Sequence, residues 1–391
     1  MKKIVLSTLA ALTLGSVVAN ASALKLYQDE NGQVFTSPAE GRTLIKTSDT
    51  PTYAKASKLK FSGVHYIGLT SKDLKDGDRT TNFEVRRNYL QVKAYLLEDP
   101  KSYFRVTLDT SYDAKHDGHA DIYAKYMYLY LNDVLPSTGV EIGMAHRPWI
   151  DYEEHQSWLT RSVSKVFAES SEAGHLTNSA DLGVNFKTKT PYFTSEVGLF
   201  NGEGYHGENE YDDDDNVTAS IGKGLSTEWR FTAALLGNGK VHRKATKDTY
   251  FDASFYGQYN VENAKNDGKT YKIYGLHTVY NTPVYLVSGQ YVVADSNQED
   301  TTDFNGKGFS INGEYRFGEE KEFSLVGRYD YWKNENTTTS ATSEEKNYIY
   351  GAAYQQNKNV KWLVTGQTYY VVGTDDEKDY NSLMVTTEVH W

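Results

Sequence analysis

From Lys58 to the C-terminus, the sequence consists of segments in which apolar and polar residues alternate, joined by polar connections that are short and long in turn. A period of two is the pattern of a β-strand with two unlike faces. In the last segment Leu383, Val385 and Trp391 fall on one side, and Glu388 falls on the other. The sequence therefore predicts an all-β fold in which each strand has one apolar and one polar face.

Sixteen alternating segments follow one another along this part of the chain. Their expected bounds are Lys58 to Leu69, Phe83 to Leu97, Tyr103 to Asp113, Asp121 to Leu131, Gly139 to Arg147, Asn178 to Lys187, Tyr192 to Asn201, Gly224 to Leu236, Thr249 to Val261, Lys269 to Tyr280, Val284 to Ala294, Gly306 to Phe317, Glu322 to Trp332, Lys346 to Gln356, Val360 to Val372, and Tyr380 to Trp391. An even-stranded membrane barrel has short turns on the side of its termini and long loops on the other side. The connections obey this rule only if Gly224 to Leu236 is one strand, which leaves GNGKVHRKATKD as an unusually long turn. The pattern predicts a sixteen-stranded antiparallel transmembrane β-barrel.

The composition narrows the class of protein. The chain has 52 acidic and 41 basic residues, and its net charge of −11 argues against nonspecific nucleic-acid binding. It has 32 tyrosines and only 7 prolines, which is typical of a barrel with aromatic girdles at both membrane interfaces. We expect tyrosines at strand ends to form these girdles, among them Tyr95, Tyr103, Tyr112, Tyr348, Tyr369 and Tyr380. A soluble secreted β-sandwich shares this composition and stays an alternative.

The N-terminal region has a different pattern from the rest. Two lysines precede an apolar run that ends in Ala21-Ser22-Ala23, so we expect residues 1–23 to be a secretory signal peptide. Asn31-Gly32 lies between two apolar pairs and predicts a β-hairpin. The expected domains are therefore the signal peptide, a periplasmic hairpin and linker over residues 24–57, and the transmembrane barrel over residues 58–391.

The polar face of the predicted strands carries charges of both signs. By alternation it includes Arg87, Lys93, Arg105, Asp109, Asp113, Lys125, Glu141, Arg147, Asp181, Glu196, Glu228, Arg230, Asp252, Glu314, Arg316, Arg328 and Asp330. In a membrane barrel the apolar face contacts lipid, and the charged face encloses water. We therefore predict that these side chains line a pore.

The connection from Pro148 to Thr177 is the longest on the loop side, and ordered loops of this length are usually functional. Its apolar residues have partial helical spacing, which predicts a short helix around Trp158, Leu159, Ser162, Val163 and Val166. We expect this third loop to fold inward and narrow the lumen. The side chains that would then line the constriction are Asp151, Glu153, Glu154, His155, Arg161 and Lys165.

The segments RRNYLQVKAYL, YFRVTLDTSYD and VEIGMAHRPWIDYEE resemble the phosphate-selective porin O/P family, and the terminal tryptophan is similar to the C-terminal assembly signal of outer-membrane barrels. The resemblance implies a sixteen-stranded homotrimer with basic side chains in the lumen, here Arg87, Lys93, Arg105, Lys125 and Arg147. The sequence departs from that family in its inward acids, Asp109, Asp113, Glu141 and Asp181 among them. These acids offset the cations, so we do not carry over the family's selectivity.

The sequence thus predicts an outer-membrane porin of a Gram-negative bacterium that lets small hydrophilic solutes and ions diffuse, contacts lipid and lipopolysaccharide, and needs no cofactor. An anion- or phosphate-selective channel is one alternative. An outer-membrane barrel hydrolase that uses His155 is another. A metal site made of His146, Asp151, Glu153, Glu154 and His155 is a weaker hypothesis, because the recognised ligand spacing is absent.

Overall fold

The computed structural model describes residues 27–30, 34–35, 38–44, 58–75, 77–112, 120–202, 204–205, 210–211, 217–219, 224–263, 269–295, 304–337, 339–373 and 379–391. The chain divides into two compact units, residues 1–57 and residues 58–391. The first contains three short antiparallel strands in the order β2-β1-β3, namely β1 (Tyr27–Gln28), β2 (Val34–Phe35) and β3 (Thr43–Leu44). The signal peptide and the turn at Asn31-Gly32 lie outside the described residues.

The second unit is a closed antiparallel barrel of sixteen strands, which confirms the predicted fold class. Its strands are β4 (Leu59–Leu74), β5 (Thr80–Ala94), β6 (Tyr103–Tyr112), β7 (Ala120–Leu135), β8 (Thr138–His146), β9 (Ala180–Lys189), β10 (Phe193–Phe200), β13 (Ser226–Leu236), β14 (Tyr250–Asn263), β15 (Lys269–Asn281), β16 (Tyr285–Asp295), β17 (Phe304–Phe317), β18 (Phe323–Asn336), β19 (Thr342–Gln355), β20 (Val360–Val372) and β21 (Tyr380–His390). The last strand closes onto the first, with Met384 opposite Thr70. A small hairpin of β11 (Glu210–Tyr211) and β12 (Val217–Ala219) precedes β13.

Solvent exposure alternates along the barrel strands, because successive side chains of a pleated strand point to opposite faces. In β21, Leu383 is 54% exposed and Met384 is 2% exposed, and the alternation continues with Val385 and Thr386. Across the barrel, most large apolar side chains of the strands lie on the exposed face and most charged ones on the buried face, although the buried face of β14 to β21 also carries apolar side chains such as Trp332 and Leu363. The described residues contain no helix that is long and apolar enough to span a membrane.

Short turns join the strands at the end of the barrel that holds the C-terminus. The turn between β7 and β8 places Ser137 at a φ of 58°, and the turn between β17 and β18 uses Gly318 at 96° and Lys321 at 59°. These left-handed conformations reverse the chain within a few residues. The segment 237–249, between β13 and β14, is the long turn that the sequence leaves at this end.

Several ladders of the barrel shift in register, and two of these shifts lie at or next to predicted site residues. In the β4–β5 ladder, Tyr66 pairs with Arg87 and Ile67 pairs with Val85, so Arg86 is an extra residue in a β-bulge. In the β6–β7 ladder the register shifts in the same way at Lys125. Strand β5 also pairs with β6 over a short stretch only, from Leu90 to Ala94.

Two sequence expectations are wrong in detail. The helix α1 of the long connection spans Ile150–Gln156, and a 3-10 turn spans Phe167–Glu169, whereas the residues from Trp158 to Val166 are not helical. Tyr369 and Tyr380 are 6% and 7% exposed and lie on the buried face with Val371. Tyr380 is four residues from the buried Met384 and therefore lies on the same, inner face of β21. A tyrosine at a strand end belongs to an interfacial girdle only when its side chain is on the outer face.

Candidate functional site

The connection of residues 148–177 is bound to strands on several sides of the barrel. The Arg230 Nε of β13 donates to the Pro148 carbonyl oxygen at 3.0 Å. The Tyr271 hydroxyl of β15 donates to the Leu176 carbonyl at 2.5 Å, and the Lys361 Nζ of β20 donates to the Leu159 carbonyl at 3.0 Å. These donors all belong to strands and reach backbone acceptors, so the wall fixes the path of the connection.

One side of the connection is tied to β5 by a chain of ion pairs. The Arg87 guanidinium donates to both oxygens of Glu154, at 3.2 and 3.0 Å. Glu154 Oε1 also accepts from the Arg161 Nε at 2.7 Å, and the Arg161 Nη2 lies 3.3 Å from Glu169 Oε2. Lys165 Nζ is 3.7 Å from the other Glu169 oxygen. The bidentate geometry gives this cluster defined positions, and its three cations exceed its two carboxylates by one charge.

Arg87, Glu154, Arg161, Lys165 and Glu169 form what we call the Arg87–Glu154 cluster. Its cations keep its two acids ionised. Burial raises the pKa of Glu154, but the positive charges of Arg87 and Arg161 outweigh it and lower this pKa to about 2. The pKa of Glu169 is lowered for the same reason, since Arg161 and Lys165 outweigh the cost of burial. Both acids are therefore charged at neutral pH.

Arg86 belongs to this side of the connection, although alternation places it on the apolar face. Its Nη2 donates to the Val163 carbonyl at 2.8 Å, and its Nη1 contacts Glu84 Oε2 at 2.7 Å. The bulge at Arg86 turns two successive arginines towards the connection. The pair Arg86-Arg87 was the signal available in the sequence, because an arginine in the lipid-facing half of a strand is costly.

The other side of the connection is apolar. Trp149 stacks on Tyr256 of β14 with ring centroids 3.6 Å apart, and Phe167 meets Trp332 of β18 edge-on at 6.0 Å. Both belong to one cluster of buried residues that joins the connection to strands from β14 to β21. Such packing removes apolar area from water and stabilises the docked connection.

Glu153 lies on this apolar side, next to Glu154 in sequence. Its oxygens accept from the Trp149 Nε1 at 2.7 Å and from the Gln290 Nε2 at 2.5 Å. Burial raises the pKa of Glu153 to about 7, and the attraction of Arg328 offsets only part of this effect. Two neighbouring glutamates thus have opposite pKa shifts because they face opposite sides of the connection.

Where the connection begins and ends, ion pairs lie on β8, β9, β10 and β13. Arg147 binds Glu228 through its Nε at 2.8 Å and its Nη2 at 2.5 Å. Lys187 Nζ bridges Glu141 at 3.2 Å and Glu196 at 3.3 Å. Burial of these charges is costly unless they are paired, and here each of them has a partner of opposite sign.

The group of Lys187, Glu141 and Glu196 extends through two more side chains. Glu141 Oε2 accepts from the His146 backbone N–H at 3.1 Å and lies 2.9 Å from the His146 ring Nδ1. Arg230 Nη2 is 3.0 Å from Glu196 Oε1. Lys187 and Glu196 thus link the predicted site residues Glu141 and Arg230, whereas Arg147 forms its own pair with Glu228.

Arg316 and Arg328 lie further round the barrel wall. Arg316 Nη2 contacts Glu314 at 2.7 Å, and Arg328 Nε contacts Asp330 at 2.8 Å. Arg328 also donates through Nη1 to the Lys165 carbonyl at 2.7 Å, so it holds the connection from the β18 side. Each of these two arginines pairs with an acid of its own strand, and Arg328 reaches the Arg87–Glu154 cluster only through the Lys165 backbone.

Three predicted cations have no carboxylate within 4 Å in the described part of the chain. Lys125 Nζ lies 3.3 Å from the centre of the Tyr205 ring, and Lys93 Nζ lies 4.6 Å from that of Tyr103. Arg105 binds neutral groups, among them Gln91 Oε1 at 2.5 Å.

Asp109 likewise accepts from neutral donors, the Asn88 backbone N–H at 2.9 Å and the Tyr123 hydroxyl at 3.1 Å. Asp113 lies outside the described residues.

The predicted residues Asp151 and His155 lie together on α1. The His155 Nδ1 is 2.8 Å from the Asp151 carbonyl oxygen, and the Asp151 carboxylate raises the pKa of the imidazole. No serine hydroxyl contacts the His155 ring within the described ranges. Ser157 and His277 do approach each other, at 3.1 Å, but both are buried and His277 Nδ1 has no partner. Neither arrangement forms a catalytic triad. The described residues also contain no group of three side chains suited to hold a metal ion.

A cavity of about 700 Å³ lies beside the Arg87–Glu154 cluster. Its charged lining consists of Arg86, Arg161, Lys165, Glu84 and Glu172, and its apolar lining includes Phe83 and Val163. Burial raises the pKa of Glu172, but hydrogen bonds from Ser170 and Tyr380 lower it overall. The charges in this lining come close to cancelling.

No family model and no curated protein matches the chain. Among solved structures, it is similar to a loop L8 deletion mutant of OmpT, an outer membrane protein of Vibrio cholerae, at 15% identity and a TM-score of 0.54, over 85% of this chain and 99% of that chain. It is also similar to the anion-selective porin from Comamonas acidovorans (11% identity, TM-score 0.56, 85% and 99% covered) and to Pseudomonas putida OprB (10%, 0.58, 88% and 96%). At such identities the likeness shows the fold alone, which is the barrel of outer-membrane porins. Membership of the phosphate-selective porin family stays a prediction.

Proposed function

We propose that this protein is a channel of the Gram-negative outer membrane through which small hydrophilic solutes and ions diffuse. The observation that carries the proposal is the division of a closed sixteen-stranded wall into an exposed apolar face and a buried charged face. Closure leaves no open sheet edge around the circumference, as a bilayer requires. A soluble sandwich would have the opposite arrangement, with apolar side chains between its sheets.

The connection of residues 148–177 lies within the lumen in this proposal. Its support is the set of bonds from strands on different sides of the wall, such as Arg87 to Glu154 and Lys361 to the Leu159 carbonyl. Those side chains belong to the buried face of the wall. A segment so placed narrows the aqueous path, and solutes pass where the charged side of the connection meets water.

Recordings from planar bilayers test this function. Purified protein should produce discrete, ohmic conductance steps in KCl. The matched control is a preparation of the same protein denatured by heat and added at equal concentration, which should produce none. Silence from folded protein that has inserted into the bilayer would contradict the proposal.

A preference for anions is a second candidate function, and one register row favours it. Lys60 pairs across the sheet with Lys93, and Lys93 pairs with Arg105, so three neighbouring strands carry cations at one level. No carboxylate within the described ranges comes within 4 Å of these three. A row of unpaired cations attracts anions.

Reversal potentials in a KCl gradient test the anion preference. The wild-type protein should favour chloride, and Arg105→Glu should move the reversal potential towards potassium by on the order of 10 mV. Lys101→Glu, in the turn before β6, is the matched charge change and should have a smaller effect. Equal shifts of the reversal potential in both variants would show that the row of Lys60, Lys93 and Arg105 does not determine the anion preference.

We also propose that the protein assembles as a homotrimer in a membrane of lipid and lipopolysaccharide. The support is the fold likeness to OmpT of Vibrio cholerae, one of whose solved structures is described as a trimer form. Mass measurement in detergent by light scattering tests this, and a monomeric mass would contradict it.

A further inference from the structure

The long turn of residues 237–249 lies across the buried face of four neighbouring strands. Arg243 donates to both oxygens of Asp252 on β14, each at 2.7 Å. The Ala245 carbonyl accepts from Asn281 of β15 at 2.5 Å and from Arg316 of β17 at 3.2 Å. The Ala245 side chain is buried against Leu286 of β16. A turn that merely joined two strands would not need these contacts.

The same turn has its own internal order. Asp248 accepts from the Lys244 backbone N–H at 2.8 Å, from Asn238 at 2.9 Å and from Lys240 at 2.7 Å. These bonds close the turn on itself, and Asp248 holds its two ends together. The segment therefore has a fixed shape where it meets the strands.

The turn shares its partners on β14 with the connection of residues 148–177, which comes from the opposite end of the barrel. The Tyr152 hydroxyl of α1 donates to Asp252 Oδ2 at 2.9 Å, so Asp252 holds both segments. The Tyr250 hydroxyl donates to the Gln156 carbonyl at 2.8 Å, and the Arg243 guanidinium lies 4.7 Å from the Tyr250 ring. Leu159 packs against the cluster around Ala245.

We propose that the turn of residues 237–249 is a second constriction of the channel, on the periplasmic side, and that the Arg243–Asp252 pair holds it closed. The inference rests on the proposed channel function. It implies that the β14–β17 side of the lumen is shut from both ends, so that solutes follow the opposite side. Release of Arg243 frees the turn and widens the exit, while Tyr152 still holds α1.

Single-channel conductance tests the proposal with two matched variants. Arg243→Ala should raise the conductance by about 1.5-fold, because the narrowest cross-section on the periplasmic side widens. Lys247→Ala removes the same charge from an exposed position of the same turn and should leave the conductance within about 10% of wild type. Equal values for all three proteins, or equal changes in both variants, would overturn the proposal.

A labelling experiment separates movement of the turn from a change in charge. The chain has no cysteine, so Ala245→Cys introduces a single thiol at a buried site. A charged methanethiosulfonate reagent added from the periplasmic side should modify it slowly, and about ten times faster when Arg243→Ala is also present. Equal rates in both backgrounds would overturn the proposal. The absence of any conductance in the wild-type protein would instead refute the channel function itself.

Discussion

The two sides of the connection of residues 148–177 are held in different ways. One side meets β5 through Arg87, Glu154 and Arg161, and the other packs Trp149 on Tyr256. Glu153 and Glu154 show the consequence, since burial raises the pKa of the first to about 7 and the arginines lower that of the second to about 2. We expect the apolar side to contribute most of the free energy that holds the connection in place, and the charged side to fix its position. Each variant below is aimed at one side.

The largest effect is expected on the apolar side. Trp149→Ala removes a buried ring that stacks on Tyr256 and donates to Glu153. The free energy of opening of residues 148–177 should fall by about 3–5 kcal/mol. Hydrogen exchange of this segment measures it. Leu276→Ala truncates an exposed apolar side chain of β15 and should leave the exchange unchanged; similar losses in both variants would mean that Trp149 holds nothing specific.

The next effect depends on pH. Because the pKa of Glu153 is raised to about 7, its favourable contribution is complete below about pH 4.5 and is lost as the pH rises to about 7. Hydrogen exchange should therefore show a more weakly held connection at pH 8 than at pH 5. Glu153→Gln should remove this difference and hold the connection more tightly at pH 8, by up to about 3 kcal/mol. A wild-type connection that is equally stable at both pH values would contradict the raised pKa.

A substitution on the charged side should change the free energy of opening less than Glu153→Gln does, and should lower it instead of raising it. Glu154→Gln leaves Arg87 and Arg161 without their shared carboxylate and should lower the free energy of opening at pH 8 by about 2 kcal/mol. The loss should shrink in about 1 M salt, because these side chains are partly exposed. Glu335→Gln, at an exposed position of β18, is the control. If salt does not change the loss of free energy caused by Glu154→Gln, the ion pairs of Glu154 are shielded from solvent and the expectation is contradicted.

The smallest effect concerns the bulge. Arg86→Ala removes the bond to the Val163 carbonyl and should lower the free energy of opening by about 1 kcal/mol. Arg79→Ala removes an exposed arginine from the loop that precedes β5 and should have no measurable effect. If Arg86→Ala matches this control, Arg86 does not help to hold the connection.

Alternation, together with the succession of short and long connections, predicts the barrel and the number of strands. Alternation alone predicts the buried place of charged residues such as Arg230 and Asp330, because that depends only on the parity of neighbouring residues. The prediction fails where a β-bulge adds a residue to a strand, because the side chains after the bulge then change faces. Arg86 shares a side with Arg87 because a bulge adds a residue, and a bulge at Lys125 changes the parity of β7 in the same way. No local pattern in the sequence fixes the position of a bulge.

The internal segments were predicted less well than the wall. The apolar spacing from Trp158 to Val166 imitates a helix, but these side chains pack outward in several directions against different strands. The sequence shows that the turn before β14 is long, but it does not predict the contact of Arg243 with Asp252. Contacts between distant segments depend on closure of the barrel, which no segment encodes by itself.

The placement of the apolar face against lipid is the claim on which the channel depends. Spin labels on single cysteines, introduced as Leu276→Cys, Ile311→Cys and Leu325→Cys in this cysteine-free chain, test it in lipid vesicles by paramagnetic relaxation. The account predicts that dissolved oxygen relaxes these three labels strongly and a water-soluble nickel complex relaxes them weakly, with the reverse for Glu335→Cys. Strong relaxation by nickel at all three positions would contradict it.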